Sequence, residues 1–302
     1  MLMLLDSAGL YFRAFHGVPE SITAPDGTPV NAVRGFLDMC TTLVTTRQPS
    51  GVVACWDDDW RPQWRVDLVP EYKAHRVAPG GGEVEPPSLS DQVVIISEVL
   101  AALGVPRVGA AGHEADDVLA TLARRHGRRG EPVEVVTGDR DLIQLVDDSL
   151  GITVLYTGRG VRRLQVLDEA AVRAGYGVAP AQYADLALLR GDASDGLPGV
   201  PGVGPRTAAD LLVRFGDLAA ILAHAATAPR DVRPGVVRAL LDAQDYLRRA
   251  APVVRVVDDL PIPDLPGTLP PAAADAGALD ELGLRWGITA PLARLRQALW
   301  PA

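Results

Sequence analysis

The chain has 302 residues, 48% hydrophobic and 22% charged, with a net charge of −9 and two cysteines, Cys40 and Cys55. This describes one large or two modest globular domains with a sizeable core, and excludes a disordered chain. No apolar run approaches the roughly 20 residues of a membrane span. Two thiols cannot make a disulfide framework or a zinc site, which points to a reducing cytoplasm.

Taken in chain order, the apolar start MLMLLDSAGLYFRAF lacks the basic leader and cleavage site of a signal peptide and reads as a buried strand over 2–6, ending at Asp6. Val30, Val33, Phe36, Leu37, Cys40, Leu43 and Val44 recur at helical spacing over 29–47. GVVACW (51–56) is a second strand, ending at Asp57. Residues 61–76 are polar, aromatic and basic, and PGGGEVEPP (79–87) breaks regular structure. A helical pattern returns over 90–103, then a short strand in GVPRVG (104–109). HEADDVLATLARRHG (113–127) is a helix with acids first and bases last, as the helix dipole favours. PVEVVTGD (132–139) and ITVLYT (152–157) are two more strands. Strands alternating with helices imply an α/β fold whose mostly parallel central sheet is covered by helices. From about residue 176 the segments are helical, with LPGVPGVGPRTA (197–208) between two of them and a Pro-rich connector over 259–279. The expected division is therefore 1–175 and 176–302.

Carboxylates arrive in clusters: Asp6, Asp57, Glu114 with Asp116 and Asp117, Asp139 with Asp141, and Asp192 with Asp195. Any one of them is ordinarily a turn former or helix cap. Capping does not require Asp-x-Asp, Asp-x-x-Asp and aspartates at three strand ends together. Ligands of such sheets bind beyond the carboxyl ends of the strands. Acids gathered there repel one another and call for hard divalent cations such as Mg²⁺ or Mn²⁺. So many acids point to two ions, the apparatus of phosphodiester hydrolysis.

The acidic net charge alone argues against a nucleic-acid partner. Two divalent ions would cancel about four of those charges, which makes local charge the informative quantity. WDDDWRPQWRVDLVPEYKAHR (56–76) interleaves Trp56, Trp60, Trp64 and Tyr72 with Arg61, Arg65, Lys73, His75 and Arg76. That pattern suits stacked bases and paired phosphates, and equally an amphipathic helix with its aromatics in the core. In LPGVPGVGPRTAADLL, Gly202 and Gly204 let the backbone approach a phosphate, and Arg206 and Thr207 open the next helix. An ordinary Gly-rich helix–helix turn would read the same way. RRHGRR (124–129) reads as a helix terminus, and the five histidines share no metal spacing.

Six stretches then match together and in order: LLDSAGLYFRAF, GTPVNAVRGF, RPQWRVDLVPEYKAHR, HEADDVLA, TGDRDLIQL and LRGDASDGLPGVPGVGPRTAADLL. Over roughly residues 2–225 the chain resembles bacterial 5′–3′ exonucleases of the flap endonuclease type, the family of the N-terminal nuclease domain of bacterial DNA polymerase I. The resemblance implies a free-standing nuclease with a 5′ nuclease (PIN-like) sheet. It also implies an arch-like segment at about 60–90 and a helical DNA-binding region with a helix–hairpin–helix at about 183–225. A first Mg²⁺ or Mn²⁺ would be held by Asp6, Asp57, Glu114 and Asp116. A second would be held by Asp139, Asp141 and Asp192, with Asp117 and Asp195 in support. Lys73 and Arg76 would be catalytic, Lys73 steadying the scissile phosphate. Arg13, Arg61, Arg65, Lys73, Arg76, Gly202, Gly204, Arg206 and Thr207 would face DNA, and Val200 and Val203 would hold a monovalent cation such as K⁺. The expected partner is DNA with a 5′ single-stranded flap or end, or an RNA–DNA hybrid, bound by a monomer at the nucleoid and away from membranes. Two alternatives are a PIN-like ribonuclease and a non-catalytic junction-binding protein. Departures from the family pattern include Ser7 for Gly, Trp56 for Phe, His113 for Tyr and Gly196 for Asn; none removes a ligand.

Overall fold

The computed structural model describes residues 1–227 and 229–301. Its elements run β1 (Leu2–Asp6), α1 (Ser7–Gly17), α2 (Asn31–Arg47), β2 (Gly51–Cys55), α3 (Gln63–Leu68), α4 (Leu89–Leu103) and β3 (Arg107–Val108). Next come α5 (Ala115–Arg128), β4 (Val133–Thr137), β5 (Ile152–Tyr156), β6 (Gln165–Leu167), α6 (Glu169–Tyr176) and α7 (Tyr183–Arg190). The remainder is helical: α8 (Pro205–Phe215), α9 (Leu218–Ala225), α10 (Pro234–Asp242), α11 (Gln244–Val254), α12 (Ala276–Arg285) and α13 (Thr289–Leu299).

One sheet has the order β3-β2-β1-β4-β5-β6, with β1 to β5 parallel and β6 antiparallel to β5. β1, β2 and β4 are buried along their whole length, which explains the apolar runs of β1 and β2, while the one charge inside β4, Glu134, is paired with Arg47. Alternate side chains enter two separate cores. Leu2, Leu4, Val53, Val133 and Val135 pack with α5, α7, α8 and α11. Met3, Leu5, Val52, Ala54 and Val136 pack with α1, α2, α4 and α13. Thus α12 and α13, at the end of the stretch expected to be one helical region, lie on the sheet beside α4 and α2.

β6 was not foreseen. It is three residues long, two of them exposed, and carries almost no hydrophobic pattern. Residues 61–76, read as polar and aromatic, form only α3 and a 3₁₀ turn over Ala74–Arg76, and the chain folds back onto residues 194–195. Both cysteines are buried and free. No helix among the described residues is long and apolar enough to cross a membrane.

Candidate active site

Parallel pairing in register brings the ends of β2, β1 and β4 side by side, and with them Asp57, Asp6 and Asp139. Asp6 caps α1: its Oδ1 accepts from the Gly9 N–H at 2.9 Å, and a Cβ on Gly9 would lie 2.5 Å from Oδ2. Thr137, the last residue of β4, ties two of these acids together. Its hydroxyl donates to Asp6 Oδ2 at 2.7 Å and accepts from the Asp139 N–H at 2.9 Å. Asp139 Oδ1 in turn accepts from the Asp141 N–H at 2.8 Å. Asp57 Oδ1 accepts from the Ala115 N–H at 2.8 Å, docking the start of α5, with Glu114 and Asp116, against the sheet edge. A cleft of about 380 Å³ results, lined by Asp6, Asp57, Glu114, Asp116 and Asp139. Lys73, Arg76 and Arg13 line it as well, together with Phe12 and Glu83, which sequence reasoning missed. Glu83 sits in the Gly/Pro stretch that reads only as a breaker, and Phe12 reads as core.

Asp141, Asp192 and Asp195 lie beyond Asp139, outside the lining of that cleft but within electrostatic reach of it. Asp139, Asp195 and Asp192 all act on Asp141, while Asp139 also acts on Asp6 and Asp116. The two acid sets therefore meet at Asp139.

The electrostatics are those of crowded buried acids. Burial raises Asp57 to about 7 against the Ala115 hydrogen bond. Burial raises Asp195 to about 6 although Lys73 opposes it. Burial first, then neighbouring carboxylates, holds Asp116 and Asp141 well above the usual range, and burial raises Asp6. Burial alone would push the Lys73 ammonium down, yet Tyr72, Glu114, Asp195 and Asp116 keep it well above its ordinary range.

Several expected roles change in the fold. Arg65, expected to face DNA, is 2% exposed and pairs with Glu114 and Asp117. Asp117, expected to support the second ion, is fully buried; it accepts from Arg65, from the Val257 N–H, and lies 3.0 Å from His113 Nδ1. Its oxygens thus hold protein together and do not enter the cleft. Arg61, also expected to face DNA, donates to the Tyr72 and Pro70 carbonyls. Trp56 and Tyr72, candidate stacking platforms, are buried, and the Tyr72 hydroxyl donates to Glu114 at 2.8 Å. Arg13 and Arg76 remain in the cleft, and Arg206 is exposed at the start of α8. Gly202 and Gly204 have open space where a Cβ would sit, and Thr207 accepts from Arg233 at 3.3 Å. Val200 and Val203 are buried, and the Val200 carbonyl accepts from the Val203 N–H.

Glu114 already receives Lys73, Arg65 and Tyr72. Among the described residues, no group of three or more His, Cys, Asp or Glu side chains is closed around a point that could hold a metal ion. The donor chemistry nonetheless fits a hard divalent cation. The donors are all oxygen, buried and mutually repelling, and Asp141 Oδ1 is buried with no hydrogen-bond partner.

Comparison with known proteins accords with this architecture. Residues 1–177 match the family model of the 5′-3′ exonuclease N-terminal resolvase-like domain, and residues 178–275 that of the 5′-3′ exonuclease C-terminal SAM fold. The chain is 55% identical over 302 residues to a 5′-3′ exonuclease of Streptomyces coelicolor, covering 98% of this chain and 99% of that one. It is 40% identical over 269 residues to DNA polymerase I of Mycobacterium bovis, covering 89% of this chain but 28% of the polymerase. A solved structure of T5 5′-exonuclease with bound zinc shares the fold, with a TM-score of 0.66 at 17% identity, over 99% of this chain and 97% of that one. The chain belongs to the 5′–3′ exonuclease family, and it is an enzyme of that family.

Proposed function

We propose that the protein is a structure-specific 5′ nuclease. It hydrolyses phosphodiester bonds where duplex DNA meets a 5′ single strand and leaves a 5′-phosphate. The observation that carries this reading is that five carboxylates from four separate stretches of chain line one cleft with Lys73, Arg76 and Arg13. Asp6, Asp57, Glu114, Asp116 and Asp139 would hold one Mg²⁺ or Mn²⁺, and Asp139, Asp141, Asp192 and Asp195 a second. Ions so held would activate water and carry the charge of the leaving oxygen. The protein's own part is electrostatic. Lys73 moves from Glu114 to the scissile phosphate, and Arg76 and Arg13 bind the adjoining phosphates.

Residues 176 onward to α11 would grip the duplex. The α7–α8 connection acts as a helix–hairpin–helix, in which Gly202 and Gly204 admit a phosphate and Arg206 pairs with it. The carbonyls of Val200 and Val203 hold K⁺ there. Binding of this kind reads backbone shape and not bases. The biological work would be removal of 5′ flaps or RNA primers in replication and repair, in the cytoplasm at the nucleoid.

The test is cleavage of a labelled 5′-flap DNA with Mg²⁺, with Mn²⁺ and with chelator, beside the same flap made of RNA. Cutting at the junction that needs the metal and prefers or accepts DNA is expected. Asp139→Asn with Asp141→Asn should abolish cutting and leave duplex binding nearly unchanged. Flap binding without cutting, or cutting of RNA alone, would overturn the reading.

A further inference from the structure

The second acid set carries a basic residue that the proposed chemistry does not use. Arg190 ends α7, immediately before the loop that bears Asp192 and Asp195. Its side chain is only 13% exposed. One guanidinium nitrogen, Nη2, lies 3.2 Å from the Tyr183 hydroxyl and 3.6 Å from Asp192 Oδ2, while the guanidinium carbon stands 5.6 Å over the Tyr183 ring. Nε is buried with no hydrogen-bond partner. Asp141, on which the charge of Arg190 acts, is 8% exposed and its Oδ1 is likewise buried and unpartnered.

This is an unusual way to neutralise buried acids. A guanidinium normally donates two parallel hydrogen bonds to a carboxylate and so occupies its oxygens. At 3.6 Å the contact is too long for a hydrogen bond, so Arg190 lowers the repulsion through space and leaves the oxygen free. The other Asp192 oxygen, Oδ1, is already taken by the Ser194 N–H and hydroxyl. Tyr183, fully buried, holds the same Nη2 through its hydroxyl and carries its ring under the guanidinium. The first set is built differently, because Lys73 there is seated directly on Glu114.

We propose that Arg190 is a resident counter-cation of the Asp141–Asp192 set and sets how tightly that set holds a divalent ion. It keeps the acids together while no ion is present. Once one binds, the two cations repel, and the site is held to weak, exchangeable binding. Arg190 is thus a positioning and affinity-setting residue, not a catalytic one. The inference rests on the reading that this set holds an ion.

The experiment measures Mn²⁺ binding to the full-length protein at pH 8, by the electron paramagnetic resonance of free Mn²⁺, alongside thermal midpoints without metal. Wild type should show a tighter and a weaker class of site. Arg190→Met should tighten the weaker class about tenfold, lower the metal-free midpoint, and gain more from Mn²⁺ than wild type does. Arg190→Lys, which keeps the charge, should behave as wild type. Asp192→Asn in the Arg190→Met background should remove the weaker class and so locate it. Should Arg190→Met fail to fold, Arg190→Gln serves in its place. A weaker class that is unchanged or loosened in the folded, uncharged variant overturns the role of Arg190 and leaves the nuclease reading intact. A wild type that binds no Mn²⁺ overturns both.

Discussion

At the scale of single residues, Lys73 concentrates the site's chemistry. It takes a left-handed conformation, φ 49°, that non-glycine residues seldom adopt, and its N–H donates to the Asp195 carbonyl at 3.0 Å. That backbone contact ties it to the second acid set while its ammonium meets the first. Lys73→Ala should slow single-turnover cleavage by about 10²-fold or more, the scale of losing one transition-state charge contact. Weaker substrate binding with an unchanged single-turnover rate would refute that role. Gly196 shows how one position can mislead from sequence. Replacing the family's Asn by Gly reads as a departure, yet the residue has φ +72° and a Cβ there would come within 2.5 Å of the Glu71 carbonyl. Here Gly is what lets the Asp195 loop close against residues 71–73.

The raised acids have a consequence for stability. A carboxyl whose native pKa exceeds its unfolded value holds its proton more tightly in the native state. Its contribution is therefore most favourable below about pH 4 and is lost as pH rises to the native value. For Asp57 that loss ends near 7 and for Asp195 near 6, at up to about 1.4 kcal/mol per pH unit for each group. The metal-free protein should accordingly melt higher at pH 6 than at pH 8. Added Mg²⁺ should raise the midpoint more at pH 8, where Asp57 and Asp195 have already lost their protons. Equal metal-induced shifts at the two values would show that these acids do not take part in ion binding.

Among the elements, α5 joins the site to the rest of the chain. Its N-terminal turn carries Glu114 and Asp116 into the cleft. A stripe of side chains four residues apart, running one residue past its end, grips the extended connector after α11. Asp117 accepts from the Val257 N–H, Thr121 from the Leu260 N–H, Arg125 donates to the Leu260, Ile262 and Pro263 carbonyls, and Arg129 pairs with Asp264. RRHGRR was thus legible as a helix end, but its work as an anchor was not, because its partners lie over a hundred residues away. Arg125→Ala should cost about 2 kcal/mol in urea unfolding and expose the connector to limited proteolysis. Unchanged cleavage by protease would mean that the stripe does not hold the connector.

Over the whole molecule, the sheet was legible because buried strands leave mostly apolar runs, and an aspartate ends β1 and follows β2 and β4 within two residues. β1, β2, β4 and β5 fall where the runs predicted, whereas β6, short and half in solvent, left no such mark. The acids that meet at the strand ends were legible from their clustering. What the sequence could not convey was which acids face the cleft and which face protein: Asp116 and Asp117 are neighbours on one turn, yet only Asp116 lines the cleft. Nor could it show that Arg65 serves the fold, since burial of an Arg depends on the tertiary placement of Glu114 and Asp117. The placement of α12 and α13 on the sheet was equally out of reach, because an amphipathic helix does not name the surface it covers.

If acids from distant stretches act as one ion-binding centre, crystals grown with Mn²⁺ must show it in their anomalous scattering. One peak is expected among Asp6, Asp57, Glu114, Asp116 and Asp139 and a second among Asp139, Asp141, Asp192 and Asp195. An ordered cleft with no peak, or Mn²⁺ bound only elsewhere on the molecule, would contradict it.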